Sequence, residues 1–588
     1  MIKKLFPYIL SLFFGFNTLK AQDSLKNYNI NEIVVESKKQ DEELEIKKSS
    51  LKTIYNFDLT KELTSEIGVT TINQISSEIR IHNLSEPFVG FYYDNTSIRI
   101  MGSKTQFYGA YSFINPDLYY LEVEPVSYST KYTDLGGIVK IKPRKFTGKS
   151  IEISSDLAQR ILTLKLPIEL NENIKGYNNS SIRNIEVIGL MRNAIPNLQL
   201  LPRVVEFQNI SSLDIKNSNL ELIIRRASEE NNFDKSTEYG NGELKQNSLQ
   251  DLIILNNYIP FEKFDINSIF SYEFNNLYSK YGFKNNLNDL DFFNKNITGS
   301  FEISNENKMF KSGLTSYLMQ NKKKSISVNH LWGEINYPYK FYLFQPSLGA
   351  TKFEDKFVYL YGFHLSKDFE NLMLTLGYNH LSNFILNNSY KIGELINENN
   401  KINAQIANHY SLSLNFKEEN NIFKVLVYRK DLNADFQEEY SKARIYGLDL
   451  NLNHSGKLNY KVNSSFSNSR LNDHVFPGAI DKTIQTEFGY EIFNNINLIT
   501  QLKYQDGYYS KNKITNNYEK LNNSLYLSFG GNTNFDFMNK TFGFTFTVYN
   551  LFAPLGQKNE LARVKNAKDE LISINTPLWL NIGIYSKF

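Results

Sequence analysis

The stretch Leu578-Trp579-Leu580-Asn581-Ile582-Gly583-Ile584-Tyr585-Ser586-Lys587-Phe588 decides the fold. Leu578, Leu580, Ile582, Ile584 and Phe588 share one parity; Trp579, Asn581, Gly583, Tyr585 and Lys587 share the other. Successive side chains of a strand point to opposite faces, so this stretch is a strand with one apolar and one polar face. Such a strand suits hydrocarbon on one side and a wet interior on the other. A terminal aromatic on it, Phe588, is what barrels of the bacterial outer membrane present for assembly.

The alternation recurs along the chain. Leu162, Leu164, Leu166, Ile168 and Leu170 oppose Thr163, Lys165 and Glu169; Leu372, Leu374, Leu376 and Tyr378 oppose Thr375, Gly377 and Asn379. Tyr446, Leu448, Leu450 and Leu452 oppose Gly447, Asp449, Asn451 and Asn453, and Phe542, Phe544, Phe546 and Val548 oppose Thr541, Gly543, Thr545 and Thr547. Short connections such as His454–Lys457 and Asn494–Asn495 read as periplasmic turns. Glu229–Asn247, Asn387–Lys401 and Gly507–Lys520 read as longer extracellular loops. At roughly 20 residues per strand with its share of connection, residues 148–588 hold about 22 strands. The expected fold is an all-β transmembrane, antiparallel outer-membrane barrel. A barrel that wide has a lumen side chains cannot fill, which calls for a plug. Residues 37–147 have the composition of one, α+β in character, with a partly helical Leu59–Ser77 and strands over Ser97–Gly102 and Gly136–Lys142.

The N-terminus carries Lys3 and Lys4, an apolar run from Leu5 to Phe16 and Leu19-Lys20-Ala21, which predicts a cleaved secretory signal over residues 1–21. Its removal takes three lysines and no acids, leaving 62 basic against 62 acidic residues. That balance excludes the basic footprint of a nucleic-acid binder. Cysteine is absent, which excludes disulfides, thiolate nucleophiles and cysteine metal sites. Beyond the signal no apolar run reaches the roughly 18 residues of a membrane helix.

Four segments resemble the TonB-dependent receptors, energised outer-membrane importers of siderophores, cobalamin, haem or glycans. Asn31-Glu32-Ile33-Val34-Val35-Glu36, within a leader at 22–36, is similar to the segment that pairs with the periplasmic domain of TonB. A short β-branched run offers its backbone edge for strand addition, and serves equally as a first plug strand. Leu121-Glu122-Val123, Tyr132 and Gly136-Gly137-Ile138-Val139-Lys140-Ile141 resemble the end of the plug, with Val126-Ser127 in place of Gly-Pro and Thr133 in place of the Gly after Tyr. Ser97-Ile98-Arg99-Ile100-Met101-Gly102 resembles the family's Ile-Arg-Gly strand; Arg99 either takes the role of its arginine or faces solvent. Ala443-Arg444-Ile445-Tyr446-Gly447-Leu448-Asp449 and Val548-Tyr549-Asn550-Leu551-Phe552 resemble two barrel strands of the family.

The resemblance implies an importer of a scarce small extracellular ligand in the outer membrane of a Gram-negative bacterium, with outer-membrane lipid and TonB as partners and no cofactor. A passive or structural plugged barrel is the alternative. Phe107, Tyr108, Tyr111 and Phe113 offer an aromatic surface for ligand from above, or packing against the wall. The seven histidines have no metal-ligand spacing, and no serine lies in a nucleophile elbow. His364 and His380 lie near strand ends and approach each other if their strands pair on one face; a hydrolase would need a Ser–His pair there.

Overall fold

A computed structural model describes residues 66–588 apart from 72–78, 99–117, 186–202, 385–403, 512–517, 553–559, 566–570, 576–578 and short stretches at several turns. The signal segment, Glu32, Ile33, Val34, Val35, Arg99, Gly102, Phe107, Tyr108, Tyr111, Phe113 and Asn387–Lys401 lie outside the described residues.

Residues 150–588 close into an antiparallel barrel of 22 strands. Two of these are interrupted: Ser325–Ile335 continues as Tyr337–Tyr339, and Lys482–Phe493 is preceded by His474–Val475. The last strand, Trp579–Lys587, pairs with the first, Ser150–Asp156. Phe588 finishes the seam: its N–H donates to the Ile151 carbonyl at 2.9 Å, and its carbonyl accepts from the Ile151 N–H at 3.1 Å. Lys540 Nζ stands 4.7 Å above its ring. Closure leaves no strand edge unpaired, which is what permits a barrel to sit in hydrocarbon.

Side-chain parity follows the alternation in the sequence. Leu162, Leu580, Ile582 and Ile584 are exposed on the outer wall, while Thr163, Lys165 and Asp449 are buried within the lumen. At the rim that carries Phe588, Lys216, Glu370 and Glu419 turn the chain between neighbouring strands with φ of 54°, 60° and 38°. Left-handed residues at two-residue turns match the twist of the flanking strands. Connections at the opposite rim range from the two residues Glu354 and Asp355, between Tyr342–Phe353 and Lys356–Phe369, to much longer ones. That from Gln505 to Ser524 carries a small hairpin, Tyr509–Lys511 against Tyr518–Lys520.

The segment Glu229–Asn247 corrects the expectation of a loop. Strands Ser218–Thr237 and Gly240–Pro260 pair through it as one long hairpin. Polar residues fall on both parities there, a pattern that does not prevent backbone pairing.

Inside the barrel lies a sheet in the order Thr96–Ser97, Val89–Tyr93, Gly137–Pro143, Tyr119–Glu124, with a parallel central pair and antiparallel flanks. A separate pair, Val69–Thr71 with Ile79–Ile81, lies beside it in sequence. Within the partly helical stretch expected over Leu59–Ser77, Val69–Thr71 is a strand, where three consecutive β-branched residues favour extension over a helix; residues 59–65, 67 and 72–78 lie outside the described residues. No helix occurs among the described residues. Phe91, Tyr93, Ile98, Val139 and Ile141 bury one face of the plug sheet against lumenal Ile210, Ile223, Leu252, Ile254 and Ile269. A second apolar cluster joins Leu84, Phe88, Val126 and Leu135 to Leu381, Leu426, Leu432 and Ile445.

Candidate functional site

The segment Pro125–Gly136 joins plug strands Tyr119–Glu124 and Gly137–Pro143, and it holds Tyr132 and Gly136 of the plug motif. Gly136 and Gly137 start the parallel pairing with Val89. A Cβ on Gly136 would stand 2.8 Å from the Phe88 carbonyl, to which the Gly136 N–H donates at 2.7 Å. Gly137 has φ of +136° and would press a Cβ to 3.0 Å from the Pro125 carbonyl. The backbone approach and the dihedral both require glycine. Tyr132 is buried edge-on to Tyr92 at 4.8 Å, and Tyr92 donates its hydroxyl to Asp134. Burial, then the Asp134 carboxylate, push the Tyr92 phenol well above its usual range. Glu122 pairs with Lys142 at 2.7 Å, half-exposed. Its burial would raise the carboxyl, but Lys142 and Lys140 outweigh that and hold it below the usual range.

Barrel side chains from five strands converge on this segment. Lys430 Nζ donates to the carbonyl of Pro125 at 2.7 Å and to that of Gly136. His409 Nε2 donates to the Leu135 carbonyl at 2.7 Å, and His330 Nε2 to the Thr130 carbonyl at 2.8 Å. A carbonyl only accepts, so each ring carries its proton on Nε2; His330 Nδ1 then accepts from Thr351 Oγ1 at 3.0 Å. Asn379 donates to the Ser127 carbonyl, and Asn383 Nδ2 to Thr133 Oγ1 at 3.2 Å. Ser129 donates to Glu334 at 2.7 Å, and Lys131 pairs with Glu302 at 2.9 Å. The positions that depart from the family pattern are thus each occupied. Val126 enters the apolar cluster, while Ser127 and Thr133 meet barrel amides. The segment is clamped to the wall.

A second anchor lies under the turn Ile81–Leu84. His82 Nε2 meets Asp449 Oδ2 at 2.8 Å with neither side chain exposed, and Ser465 donates to Asp449 Oδ1 at 2.6 Å. The Tyr428 ring stacks on His82 at 3.5 Å and 12°. Gly447 makes room for it, since a Cβ there would stand 2.5 Å from the Tyr428 hydroxyl. The glycine and the carboxylate of the Ala443–Asp449 strand therefore serve one contact. Burial, and secondarily the Lys430 charge, hold the His82 imidazole well below its usual value. Asn83 donates to Ser467 and Ser469 at 2.8 and 2.9 Å and accepts from the Ile480 N–H at 2.9 Å. Glu66, the first described residue, pairs with Lys461 at 2.8 Å, near the rim that carries Phe588.

Between plug and wall, toward that same rim, lies a cavity of about 570 Å³ lined by Tyr93, Asp94, Ser129, Lys131, Tyr132, Lys140, Lys142, Lys311, Glu334 and His364 among others. Lys140 pairs with Glu124, and Lys311 with Glu334 at 3.4 Å. Burial alone would lower Lys131 and Lys140, but Tyr132 with Asp94 and Glu302 raise the first, and Glu124 with Tyr132 the second. Both stay charged.

His364 and His380 do not meet. The register pairs Tyr361 with His380 and His364 with Gly377, which puts the two rings on opposite faces of the wall. His380 stacks on Tyr361 at 4.7 Å. On the lumenal face His364 Nε2 lies 3.1 Å from Ser366 Oγ, but that hydroxyl is buried and shared with Thr375 at 3.1 Å. Asn550 of the Val548–Phe552 motif has φ of 55°, a left-handed strand end that asparagine tolerates.

Of the residues singled out in the sequence, Glu122, Tyr132, Gly136, Gly137 and Asp449 fall among the described residues, and the clamp was not anticipated. Its members, Lys430, His409, His330, Asn379 and Asn383, carry the inward parity and no further local mark.

No protein-family model matches the sequence, and no curated protein matches it. Among solved structures it is similar to the ferric enterobactin receptor of Pseudomonas aeruginosa, at 12% identity over 90% of this chain and 96% of that one, with a TM-score of 0.67. It is similar to the ferric yersiniabactin uptake receptor of Yersinia pestis, at 8% identity over 90% and 94% of the two chains, TM-score 0.68. The siderophore receptor PiuA of Acinetobacter baumannii aligns at 11% identity over 92% and 95%, TM-score 0.68. The resemblance to TonB-dependent receptors read in the sequence holds for the fold: a 22-stranded barrel around a plug.

Proposed function

We propose that this chain is an energy-coupled receptor in the outer membrane of a Gram-negative bacterium, importing a scarce small nutrient such as a siderophore or cobalamin, and that it performs no catalysis. Residues 1–21 are then the signal, 22–36 the leader with the TonB contact, 37–147 the plug and 148–588 the barrel. The observation that carries this reading is the way the plug is held. Its motif segment is fixed by hydrogen bonds and ion pairs to the wall, which water can replace when the segment moves. The shared fold of receptors titled for ferric siderophores adds to it. Phe107, Tyr108, Tyr111 and Phe113 belong, in this reading, to the ligand side of the plug, and Arg99 and Gly102 to its motif strand.

Coupling through Glu32, Ile33, Val34 and Val35 rests on backbone bonds of an added strand. Val34→Pro removes one donor and restricts Ile33, whereas Val34→Ala keeps the backbone pattern. The test compares ligand bound to cells with ligand accumulated inside, for both variants. Binding without accumulation in Val34→Pro, and near-normal uptake in Val34→Ala, are expected. Accumulation that survives both the proline and collapse of the proton motive force would replace this reading with a passive plugged barrel.

A further inference from the structure

The outer wall carries a cluster of arginines where an apolar surface is expected. Strand register aligns Tyr378, Tyr410, Arg429 and Tyr446 in one row across four strands, all on the outward parity. Tyr410 and Tyr446 are each 45% exposed, and inward neighbours Lys430 and Ile445 are fully buried. The next row, one step further from the rim that carries Phe588, holds Asp431, Arg444 and Arg470 side by side. Lys442 follows on the same face. Toward the Phe588 rim the same outward face continues with exposed Phe423 and Val427.

Two features of this cluster lack an internal explanation. Arg444 and Arg470 are direct cross-strand partners, and like charges so placed repel. Asp431 accepts from Arg429 at 2.8 Å and from Arg444 at 3.3 Å, so among the described ion pairs one carboxylate serves two guanidinium groups, with Arg470 in the same row. Arg429 Nε is buried and has no hydrogen-bond partner. A row of tyrosines above an apolar wall marks the boundary of hydrocarbon and headgroups. The surplus positive charge therefore sits at headgroup depth, on the leaflet opposite the Phe588 rim.

We infer that Arg429, Arg444 and Arg470 form a binding site for the phosphate group of an outer-leaflet lipid, whose acyl chains lie on the Phe423 and Val427 surface. Planar guanidinium forks match phosphate oxygens in pairs, and an anion between Arg444 and Arg470 turns their repulsion into shared attraction. The inference rests on the outer-membrane reading but is independent of ligand import.

Native mass spectrometry of the full chain in detergent tests it, with lipid A bisphosphate as probe. The expected result is one retained lipid, with affinity falling by at least about tenfold in the triple variant Arg429→Gln, Arg444→Gln, Arg470→Gln, as loss of charged hydrogen bonds implies. Asp431→Asn, which removes the competing carboxylate, should tighten binding. Arg226→Gln, an outward arginine paired alone with Asp251, should leave it unchanged. Equal retention by the triple variant, or equal retention of dephosphorylated lipid A, would overturn the proposal. Displacement of the lipid by millimolar inorganic phosphate would assign the site to free phosphate instead. If the triple variant does not fold, Asp431→Asn decides alone: unchanged or weaker binding refutes the site. Loss of lipid binding with normal uptake would leave the import reading standing.

Discussion

Replacing Lys430 with methionine tests whether the polar clamp holds the plug. Methionine fills nearly the same volume, so the change removes the ammonium without opening a cavity. Lys430 is fully buried and donates to two plug carbonyls, those of Pro125 and Gly136. Losing the donor leaves both acceptors buried and unbonded, at about 1–3 kcal/mol each. Relief of the buried charge offsets part of that, because desolvating an ammonium costs several kcal/mol. A net loss of up to about 4 kcal/mol follows, or up to roughly 1,000-fold in the population of the released plug. Hydrogen exchange read by mass spectrometry resolves this. Peptides over Val89–Tyr93 and Gly137–Pro143 should lose protection by that factor, while the barrel strand Lys540–Tyr549 exchanges as before. Wild-type protection of the two plug peptides would mean that the apolar clusters hold the plug and the clamp contributes nothing measurable.

Other outcomes follow from the same geometry. The last strand runs rim to rim from Trp579 to Phe588, so Ile584→Arg near its middle should cost about 2–4 kcal/mol in refolding into bilayers and Leu580→Arg about 0–1 kcal/mol; equal costs would contradict the placement. Gly137→Ala forces a Cβ into φ of +136° and against the Pro125 carbonyl, and should lower plug protection by about 1–3 kcal/mol, read by the same exchange measurement. His82 is held neutral by burial, whereas a released plug exposes an ordinary imidazole that takes a proton below about pH 6.5. The released state then binds more protons, so plug stability should be flat above that value and fall on acidification, by up to about 1.4 kcal/mol per pH unit for one proton. His82→Gln should flatten that slope, and an unchanged slope would clear His82 of the effect.

Face was legible in the sequence and position around the barrel was not. Strict alternation told which side of the wall Leu580, Ile582, Asp449 and Thr163 occupy, because a strand has only two sides. The Gly136-Gly137 pair was legible for a related reason: a dihedral and a backbone approach that only glycine satisfies leave a mark on one or two residues. The clamp leaves no such mark. His330, Asn379, His409 and Lys430 come from four strands, and their convergence on one plug segment depends on the register of every strand between them. Parity is a local property, whereas height and azimuth in a closed barrel are sums over all the turns. The same distinction explains the arginines. Arg444 falls on the parity of Tyr446, Leu448 and Leu450, so a charge on an apolar face could be seen in one strand alone. That it stands beside Arg470, and one row beyond Arg429, follows only once strands Asn421–Phe436, Glu439–His454 and Leu458–Leu471 are in register. A residue that breaks parity marks a place to look, and the register decides whether it stands alone or in a site.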